Sequence, residues 1–474
     1  MIEARSRSKT REALGGPPGL PVVGNLFQIR LDKLHSTLER WADQYGPLYR
    51  IRIGPVRMVV VSDPDTINRM HRERPRGFRR TRALEAVTAE MRLMGVFSAE
   101  GEDWLRQRKI VVMALNTAHL KSFFPKLAIT VGRLMRRWEC AADAQEPVDL
   151  CRDLMRLTVD VTTQLAFGVD FNTLETSGPV IQRNLDKVFP MLHRRINAPI
   201  PYWRYIRLPK DRELDRALDR IRKQVDEIIR EVRERMRAEP ALYASPTNFL
   251  EAIIAAQEVK GVGFSDDDIF ANVCTLLLAG EDTTAHTIAW TVSYFLRYPE
   301  HFARARAEVD AGIAPAASVE AIEQAARFPF LDAFFNEAMR LKPVAPVNTM
   351  EPVEDTEILG HLIPRKTVIM TLNRHIATRD EHFGDAARFD PGRWLKSDAE
   401  RGRPHDTSTF LPFGAGPRFC PGRNLALLQI RTVLAMLCRN FDVEPASPGR
   451  PVEERLAFTM MPTNLVVRMK RRDT

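Results

Sequence analysis

One cysteine stands in a loop whose composition suits a metal ligand. Residues 413–422 read FGAGPRFCPG and lead into the apolar run NLALLQIRTVLAML, which predicts a helix. Cys420 would then lie near the positive end of that helix, where a thiolate is favoured. The glycines let the backbone approach a flat partner and point N–H groups at the sulfur. A buried free cysteine is the alternative, and this loop alone leaves both interpretations open.

A second chemical group lies in the middle of a long predicted helix. The helix opens at Ser265, which has Asp268 three residues on, and runs to Tyr298, before Pro299. It spans roughly 33 residues, or about 50 Å. Its first half is apolar on nearly every side, so it must cross the core, yet its centre reads GEDTTAH. An acid and two hydroxyls there favour proton handling, while a kink with threonine back-bonding is the alternative.

Three further patterns place charged and aromatic residues at fixed spacings. Glu337 and Arg340 form an i,i+3 pair of opposite charge on a predicted helix, and Arg393 follows in the segment FDPGRW. Trp104 and Arg108 lie one helical turn apart. Each pattern alone has an ordinary alternative, a surface ion pair or core packing.

Taken in order, these segments resemble the motifs of the cytochrome P450 family. FGAGPRFCPG fits the haem-binding loop Phe-x-x-Gly-x-Arg-x-Cys-x-Gly, and AGEDTT resembles Ala/Gly-Gly-x-Asp/Glu-Thr-Thr. Glu337 and Arg340 fit Glu-x-x-Arg, FDPGRW resembles Phe-x-Pro-x-Arg, and Trp104 with Arg108 fit Trp-x-x-x-Arg. The resemblance covers residues 17–420, and plausible strands follow, so it extends over nearly the whole chain.

The resemblance implies a haem-thiolate enzyme whose cofactor is haem b, iron protoporphyrin IX. Cys420 would be the protein ligand of the iron and would assist cleavage of the O–O bond. The other implied cofactor contacts are Trp104, Arg108, Ala279, Gly280, Phe413, Gly414, Arg418 and Gly422. In relatives the tryptophan and arginine contact a haem propionate, and Arg418 is expected to do the same. Gly280 would leave room where the long helix passes over the macrocycle.

The resemblance also assigns catalytic and structural roles. Thr283 would hydrogen-bond dioxygen, and Asp282 would relay protons through water. Glu337, Arg340 and Arg393 would form a structural lock behind the haem that fixes the cysteine loop. Because such a cluster is buried, loss of one member should cost several kcal/mol.

Two departures from the family pattern affect these expectations. The stretch PVNTMEP has no basic residue near Met350 and Glu351, where many relatives place a propionate-binding arginine. The anchoring of that propionate is therefore less defined. Lys366 stands where a glycine is usual, and we expect this to alter only a turn.

The elements around the motifs predict a mainly α fold with a minor β portion. For the family this means the cytochrome P450 fold, with a long central helix over the haem and small β-sheets. Apolar residues recur at helical spacing across residues 211–236, and LYRIRIG with RMVVVS reads as a β-hairpin. LAFTMM and NLVVRM predict strands near the C-terminus. Residues 1–14 are expected to be a disordered tail, and residues 15–474 a single haem domain with no fused reductase.

Composition and charge exclude some classes of function. The net charge is +9, and no zinc finger, nucleotide-binding glycine loop or RNA-binding motif is evident, so nucleic acid is a poor ligand. The N-terminus is basic but has no apolar stretch behind it, which argues against a secretory signal or a transmembrane anchor. Five cysteines without CxxC spacing predict a reducing compartment, and we expect a cytoplasmic protein.

The implied function is monooxygenation, by O2, of an apolar small molecule such as a lipid, terpene or steroid-like compound. The segments expected to contact substrate are residues 79–97, 189–205, 271–283 and 344–348 and the neighbourhood of Met460. The single residues proposed as substrate contacts are Val344, Ala345, Val347 and Met460. The apolar loop 198–203 would form an entrance lid or touch a membrane surface. A monomer is expected.

Electrons would come from NAD(P)H only indirectly, through a separate ferredoxin, flavodoxin or flavoprotein reductase. Such partners are commonly acidic, and Arg106, Lys109, Arg423 and Arg431 are the candidate basic face. Three other functions are alternatives: a haem-thiolate isomerase or dehydratase, a peroxide-driven hydroxylase, and a haem-binding or gas-sensing protein. The acid–threonine pair argues against the first two, and the absence of an evident signalling domain argues against the third.

Overall fold

The computed structural model describes residues 14–176, 184, 187–198, 200–259, 263–313, 328–396, 402 and 404–472, so nearly all of the predicted tail lies outside the described residues. The fold is mainly α with small sheets, as predicted. The helices are α1 (Leu34–Tyr45), α2 (Pro64–Arg72), α3 (Arg82–Glu90), α4 (Gly101–Ala114), α5 (Thr117–Asp143), α6 (Leu150–Phe167), α7 (Val188–Ile196), α8 (Pro209–Ala238), α9 (Ala241–Ala244), α10 (Phe249–Glu258), α11 (Asp266–Arg297), α12 (Pro299–Gly312), α13 (Pro329–Leu341), α14 (Asn373–Ala377) and α15 (Arg423–Asn440).

Twelve strands, counted over the described residues, form one larger sheet and three small ones. They are β1 (Leu48–Ile53), β2 (Val56–Val61), β3 (Phe78–Arg79), β4 (Pro147–Asp149), β5 (Val347–Pro352), β6 (Thr356–Ile358), β7 (His361–Ile363), β8 (Val368–Leu372), β9 (Phe441–Pro445), β10 (Glu453–Leu456), β11 (Met460–Thr463) and β12 (Val466–Arg471). The sheet orders are β1-β2-β8-β5-β3, β4-β12-β9, β10-β11 and β6-β7. The predicted hairpin is confirmed as the antiparallel pair β1–β2.

The long central helix α11 is set by a capping box at its start and by a proline after its end. The Ser265 hydroxyl accepts from the Asp268 N–H at 3.1 Å, and the Asp268 carboxylate accepts from the Ser265 N–H at 2.9 Å. Pro299 opens the next helix. Most of α11 is buried, and α6 packs along its middle, where the Thr158 hydroxyl donates to the Glu281 carbonyl at 3.0 Å. The helix therefore crosses the core, as predicted.

The amphipathic helix predicted for residues 211–236 is confirmed as α8. Its buried stripe comprises Asp211, Leu214, Ala217, Ile221, Val225, Ile229, Val232 and Met236. Lys366 adopts φ +68°, the left-handed conformation that favours glycine, so this departure from the family pattern lies in a turn, as expected. Among the residues described, no helix is both long and apolar enough to cross a membrane.

Candidate functional site

The cysteine loop delivers its sulfur to the start of α15, as the sequence predicts. The Cys420 N–H donates to the Phe413 carbonyl at 3.0 Å, and Gly422 is the residue just before the helix. Gly414 adopts φ +70°. Gly416 has φ +67°, and a Cβ there would lie 2.2 Å from the His71 carbonyl oxygen of α2. Only glycine allows the loop to lie this close to α2.

The surroundings of the Cys420 sulfur act on its ionisation in two directions. Burial raises the pKa of the thiol, because a thiolate is poorly solvated there. The backbone N–H groups of Gly422 and Arg423 and the charge of Arg108 lower it. The loop thus already contains groups that stabilise a thiolate, and a cation at the sulfur would complete its stabilisation.

Arg418 lies against α4 in a buried, charged environment. Its guanidinium stacks over the Trp104 ring at 4.6 Å and donates to the Ala99 carbonyl at 2.7 Å. It also pairs with the Glu100 carboxylate at 2.8 Å. Its Nε and Nη1 are buried and have no hydrogen-bond partner among the described residues. The structure therefore brings Trp104 and Arg418, which are both predicted propionate contacts, against one another, and two guanidinium nitrogens of Arg418 keep no partner among the described residues.

Two more arginines, Arg74 and Arg80, belong to the same group, which we call the arginine cluster (Arg74, Arg80 and Arg418). Arg74 Nε and Nη2 and Arg80 Nε are buried without a partner in the described structure. Burial, as the main cause, lowers the pKa of all three guanidinium groups, and the positive charges of neighbouring arginines lower those of Arg80 and Arg418 further. Glu100 is the carboxylate that opposes this effect in each case.

This donor set fits the haem that the sequence implies. Buried guanidinium groups in excess over carboxylates carry unpaired N–H donors, which is costly unless an anion joins them. The two propionates of haem are such anions, and arginine binds carboxylates through its planar fork. Sequence reasoning missed Arg74 and Glu100, and it placed Arg80 only in a segment expected to contact substrate. The basic run ERPRGFRR is the feature of the sequence that could have indicated this cluster.

Arg108 contacts the cysteine loop, and Glu351 occupies a position where the family pattern suggests a cation. Arg108 Nη2 donates to the Phe419 carbonyl, so this side chain binds the cysteine loop itself. Glu351 stands where relatives place a cation, and it is buried. Arg82 Nε lies 3.2 Å and Arg79 Nε 3.8 Å from its carboxylate. If haem binds here, the arginine cluster would have to supply the cation that the Glu351 position lacks.

The centre of α11 has one open side and one packed side. Ala279 is exposed, and Asp282 and Thr283 are partly exposed, whereas Glu281 is buried. The Thr283 hydroxyl donates to the Ala279 carbonyl at 2.8 Å. This is the threonine back-bonding that the sequence offered as the alternative to proton handling. Asp282 and Thr283 thus lie on the stripe that can meet a cofactor or solvent.

The structure shows a packing reason for Gly280 that the sequence did not suggest. A Cβ at this position would lie 2.4 Å from Thr162 Cγ2 of α6. Close packing of α11 on α6 therefore requires a glycine here, whereas its predicted contact with the cofactor stays a prediction. The sequence could not reveal this neighbour, because it is 118 residues away along the chain.

The structure brings two of the four predicted substrate residues together. The Met460 N–H donates to the Val344 carbonyl at 2.8 Å. Val344 and Val347 are partly buried, and Ala345 is exposed. Met460 differs from the prediction: its side chain is fully buried, and Arg374 Nη1 lies 3.4 Å from its sulfur. Met460 therefore packs into the interior instead of lining an apolar cavity.

A neighbour of Met460 meets another segment predicted to contact substrate. The rings of Phe458 and Phe97 pack edge to face at 6.1 Å, and both side chains are only partly buried. The Arg80 guanidinium lies 3.9 Å over the Phe97 ring. This apolar pair therefore adjoins the arginine cluster, and Phe458 replaces Met460 as the candidate wall residue.

The predicted lock residues lie in contact and are fully buried. Glu337 accepts five hydrogen bonds, two from Arg340 and one each from Arg393 Nε, the Asp390 N–H and Trp394 Nε1. The Arg340 and Arg393 side chains also donate to backbone carbonyls. Every charge in this cluster has partners, so its energetic role is to hold backbone segments together.

Aromatic packing connects the lock with the chain that leads into the cysteine loop. The rings of Trp394 and Phe410 lie 4.8 Å apart, and Phe410 precedes Phe413 by three residues. Trp394 is also a hydrogen-bond donor to Glu337. A change in the lock can therefore reach the position of the cysteine.

Known proteins resemble this chain over almost its full length. The family model described as Cytochrome P450 matches residues 14–469. The self-sufficient cytochrome P450 monooxygenase CYP505E4 of Penicillium expansum is 26% identical over 97% of the chain and 43% of its own length. The bifunctional cytochrome P450/NADPH–P450 reductase ascE of Acremonium egyptiacum is 26% identical over 98% of the chain and 43% of its own length. The chain thus spans less than half the length of these relatives.

Proposed function

The chain belongs to the cytochrome P450 family, and we propose that it is a haem-thiolate monooxygenase. It would insert one oxygen atom of O2 into a C–H or C=C bond of an apolar small molecule. Two electrons and two protons convert the other atom to water. The observation that carries this proposal is the cysteine loop, which holds Cys420 at the start of α15 with two N–H groups and Arg108 beside the sulfur.

The residues around the loop account for binding of the cofactor. Cys420 would ligate the iron, and the arginine cluster would pair with the two propionates through donors that have no partner among the described residues. Trp104 fixes the plane of the Arg418 guanidinium by stacking. When bound, haem supplies the activation of O2. The lock holds the loop so that the sulfur keeps one position.

Asp282 and Thr283 would handle protons at the open side of α11. Both are partly exposed, so water can reach them. The Thr283 hydroxyl donates within the helix, which leaves its oxygen as an acceptor for water. A carboxylate at Asp282 can take protons from solvent and return them one residue away. This pair distinguishes a monooxygenase from a haem-thiolate isomerase, which needs no proton delivery to O2.

The substrate would be apolar, because the side chains offered to it are apolar. Phe97 and Phe458 form one face, and Val344 and Val347 lie on the segment that Met460 supports. A lipid, terpene or steroid-like molecule would gain about 25 cal/mol for each Å² of apolar surface that it buries there.

Electrons would reach the site from NADPH through a flavoprotein reductase. The names of the relatives support this choice over a ferredoxin or flavodoxin, because they describe self-sufficient enzymes or a fusion with an NADPH–P450 reductase. Of the four cations expected to dock a partner, two are already paired. Arg106 pairs with Asp103 and Asp268, and Arg431 pairs with Asp332. Lys109 and Arg423 are exposed and remain as candidates.

Turnover under ¹⁸O₂ tests the activity. The haem-loaded protein, NADPH and a P450 reductase would be incubated with panels of fatty acids, terpenes and steroids. We expect one ¹⁸O atom in each product molecule. Thr283→Ala should lower product formed per NADPH consumed by about tenfold or more, whereas Thr291→Ala, a matched loss of an intrahelical threonine bond, should not. Product that forms without NADPH would contradict the proposal and favour an isomerase.

A further inference from the structure

A groove at the C-terminal half of α11 is separate from the exposed centre of that helix. It has a volume of about 460 Å³ and lies between α11, the loop from β9 to β10 and the start of β12. Its floor includes Trp290, Tyr294 and Leu465, which are all buried. An aromatic and aliphatic floor of this size suits the apolar part of a small ligand.

The rim of the groove carries positive charge. Arg297, Lys342 and Arg450 line it, and none of the described residues that line it has a carboxylate. Lys342 pairs with Glu454 at 2.6 Å, so its charge is already balanced. Neither Arg297 nor Arg450 forms an ion pair with any described carboxylate, and both are exposed. The groove therefore has two positive charges without an ion pair to a described carboxylate, the guanidinium groups of Arg297 and Arg450, above its apolar floor.

We propose that this groove binds an amphiphile with one anionic head, such as a medium-chain carboxylate. The apolar body would cover Trp290 and Leu465, and the head would lie between Arg297 and Arg450. The bidentate geometry of guanidinium favours a carboxylate over a compact anion. This site does not depend on the haem or on the monooxygenase activity proposed above.

Hydrogen bonds connect the floor of the groove with the proposed substrate wall. Trp290 Nε1 donates to the Met460 carbonyl at 3.0 Å, and the Met460 N–H donates to the Val344 carbonyl at 2.8 Å. A ligand that shifts the Trp290 ring would act on both residues. The groove is therefore placed to let a bound amphiphile alter substrate binding, and the coupling must be reciprocal.

Calorimetric titration of the haem-loaded chain with decanoate tests the site. Arg297→Gln with Arg450→Gln should weaken saturable binding by about fivefold or more, because both charges that face the head group are removed. Arg220→Gln with Arg230→Gln on α8 is the matched control, since these arginines are exposed, form no ion pair with the described residues and carry the same charge. The control should leave the affinity unchanged.

Two further outcomes would decide against the proposal. Decylammonium has the same chain with the opposite charge, and equal affinity for it would show that the arginines do not select the head group. Decanoate that binds only at the substrate site would shift the haem absorption band and would bind the double variant as tightly as the parent. In either case the groove is not a carboxylate site, whatever the enzymatic activity.

Discussion

The lock and the arginine cluster are both buried and charged. The charged groups of the lock all have hydrogen-bond partners, whereas some guanidinium nitrogens of the arginine cluster have none among the described residues. The Glu337 carboxylate accepts five hydrogen bonds, and Arg340 and Arg393 also bind backbone carbonyls. In the arginine cluster, by contrast, five guanidinium nitrogens are buried without a partner among the described residues. Buried donors without partners cost free energy. The lock therefore serves stability, whereas the arginine cluster is arranged for an anion.

The largest expected effect follows from breaking the lock. Glu337→Gln leaves Arg340 and Arg393 buried without their shared carboxylate, which should lower the free energy of unfolding by about 3–5 kcal/mol. Denaturant unfolding measures this loss. Glu444→Gln is the control, because Glu444 is exposed and pairs with Lys470 at the surface, so it should cost below about 1 kcal/mol. Equal losses for the two variants would contradict the role of the lock.

Stability should depend on pH through His71, which is buried beside the arginine cluster. Burial, together with the charges of Arg74 and Arg80, lowers the pKa of His71 from 6.5 to about 4. Between these values the unfolded chain binds the proton and the folded chain does not. The free energy of unfolding should therefore fall by about 3 kcal/mol as the pH drops from 6.5 to 4.

His71→Asn should remove this contribution to the pH dependence. Burial also lowers the pKa of His286 to about 4 and lowers the pKa of His193, so these two histidines should contribute to the slope that remains. Urea unfolding at several pH values between 4 and 7 measures the slope. A His71→Asn variant with the slope of the parent would show that the pKa of His71 is not lowered in the folded protein.

Removing one arginine from the arginine cluster should raise the free energy of unfolding, whereas removing a lock residue should lower it. Arg74→Met deletes a buried charge whose Nε and Nη2 have no described partner. The haem-free protein should gain about 1–2 kcal/mol, while haem affinity should fall by about tenfold. Unfolding curves and haem transfer to apomyoglobin measure the two effects. A loss of stability with unchanged haem affinity would contradict the proposed anion site.

A stability measurement also tests whether Gly280 is needed for helix packing. Gly280→Ala places a Cβ against Thr162 and should destabilise the protein by about 1–3 kcal/mol. Thr162→Ser removes the Cγ2 that it would meet, so the double variant should recover most of this loss. If Thr162→Ser gave no recovery, the constraint would lie on the other side of α11.

The sequence predicted those parts of the site that lie within short segments. The cysteine loop, the centre of α11 and the three lock residues each match a short motif of the family that the sequence resembles. The arginine cluster does not, because Arg74 and Arg80 meet Arg418 only through tertiary packing. Met460 was assigned the wrong surroundings for a similar reason: its apolar side chain favoured a cavity wall, but Arg374, which contacts its sulfur, comes from a distant helix.

The candidate basic face for a redox partner changes for the same physical reason, because tertiary packing brings carboxylates to two of its cations. Arg106 and Arg431 are basic in the sequence, yet Asp268 and Asp332 pair with them in the fold. The exposed pair, Lys109 and Arg423, can be tested by charge reversal. Lys109→Glu with Arg423→Glu should slow reduction by the reductase at low salt by about tenfold, with a smaller effect at high salt. An unchanged rate at low salt would move the docking site elsewhere.

The central claim is that Cys420 is a thiolate ligand of haem iron, and one spectrum tests it most directly. The dithionite-reduced, haem-loaded protein is exposed to carbon monoxide, and the Soret band is recorded. We predict the strong red shift that is peculiar to thiolate-ligated haem, and its loss in Cys420→Ala. A band at the position of histidine- or thiol-ligated haem, or no haem band at all, would contradict the account.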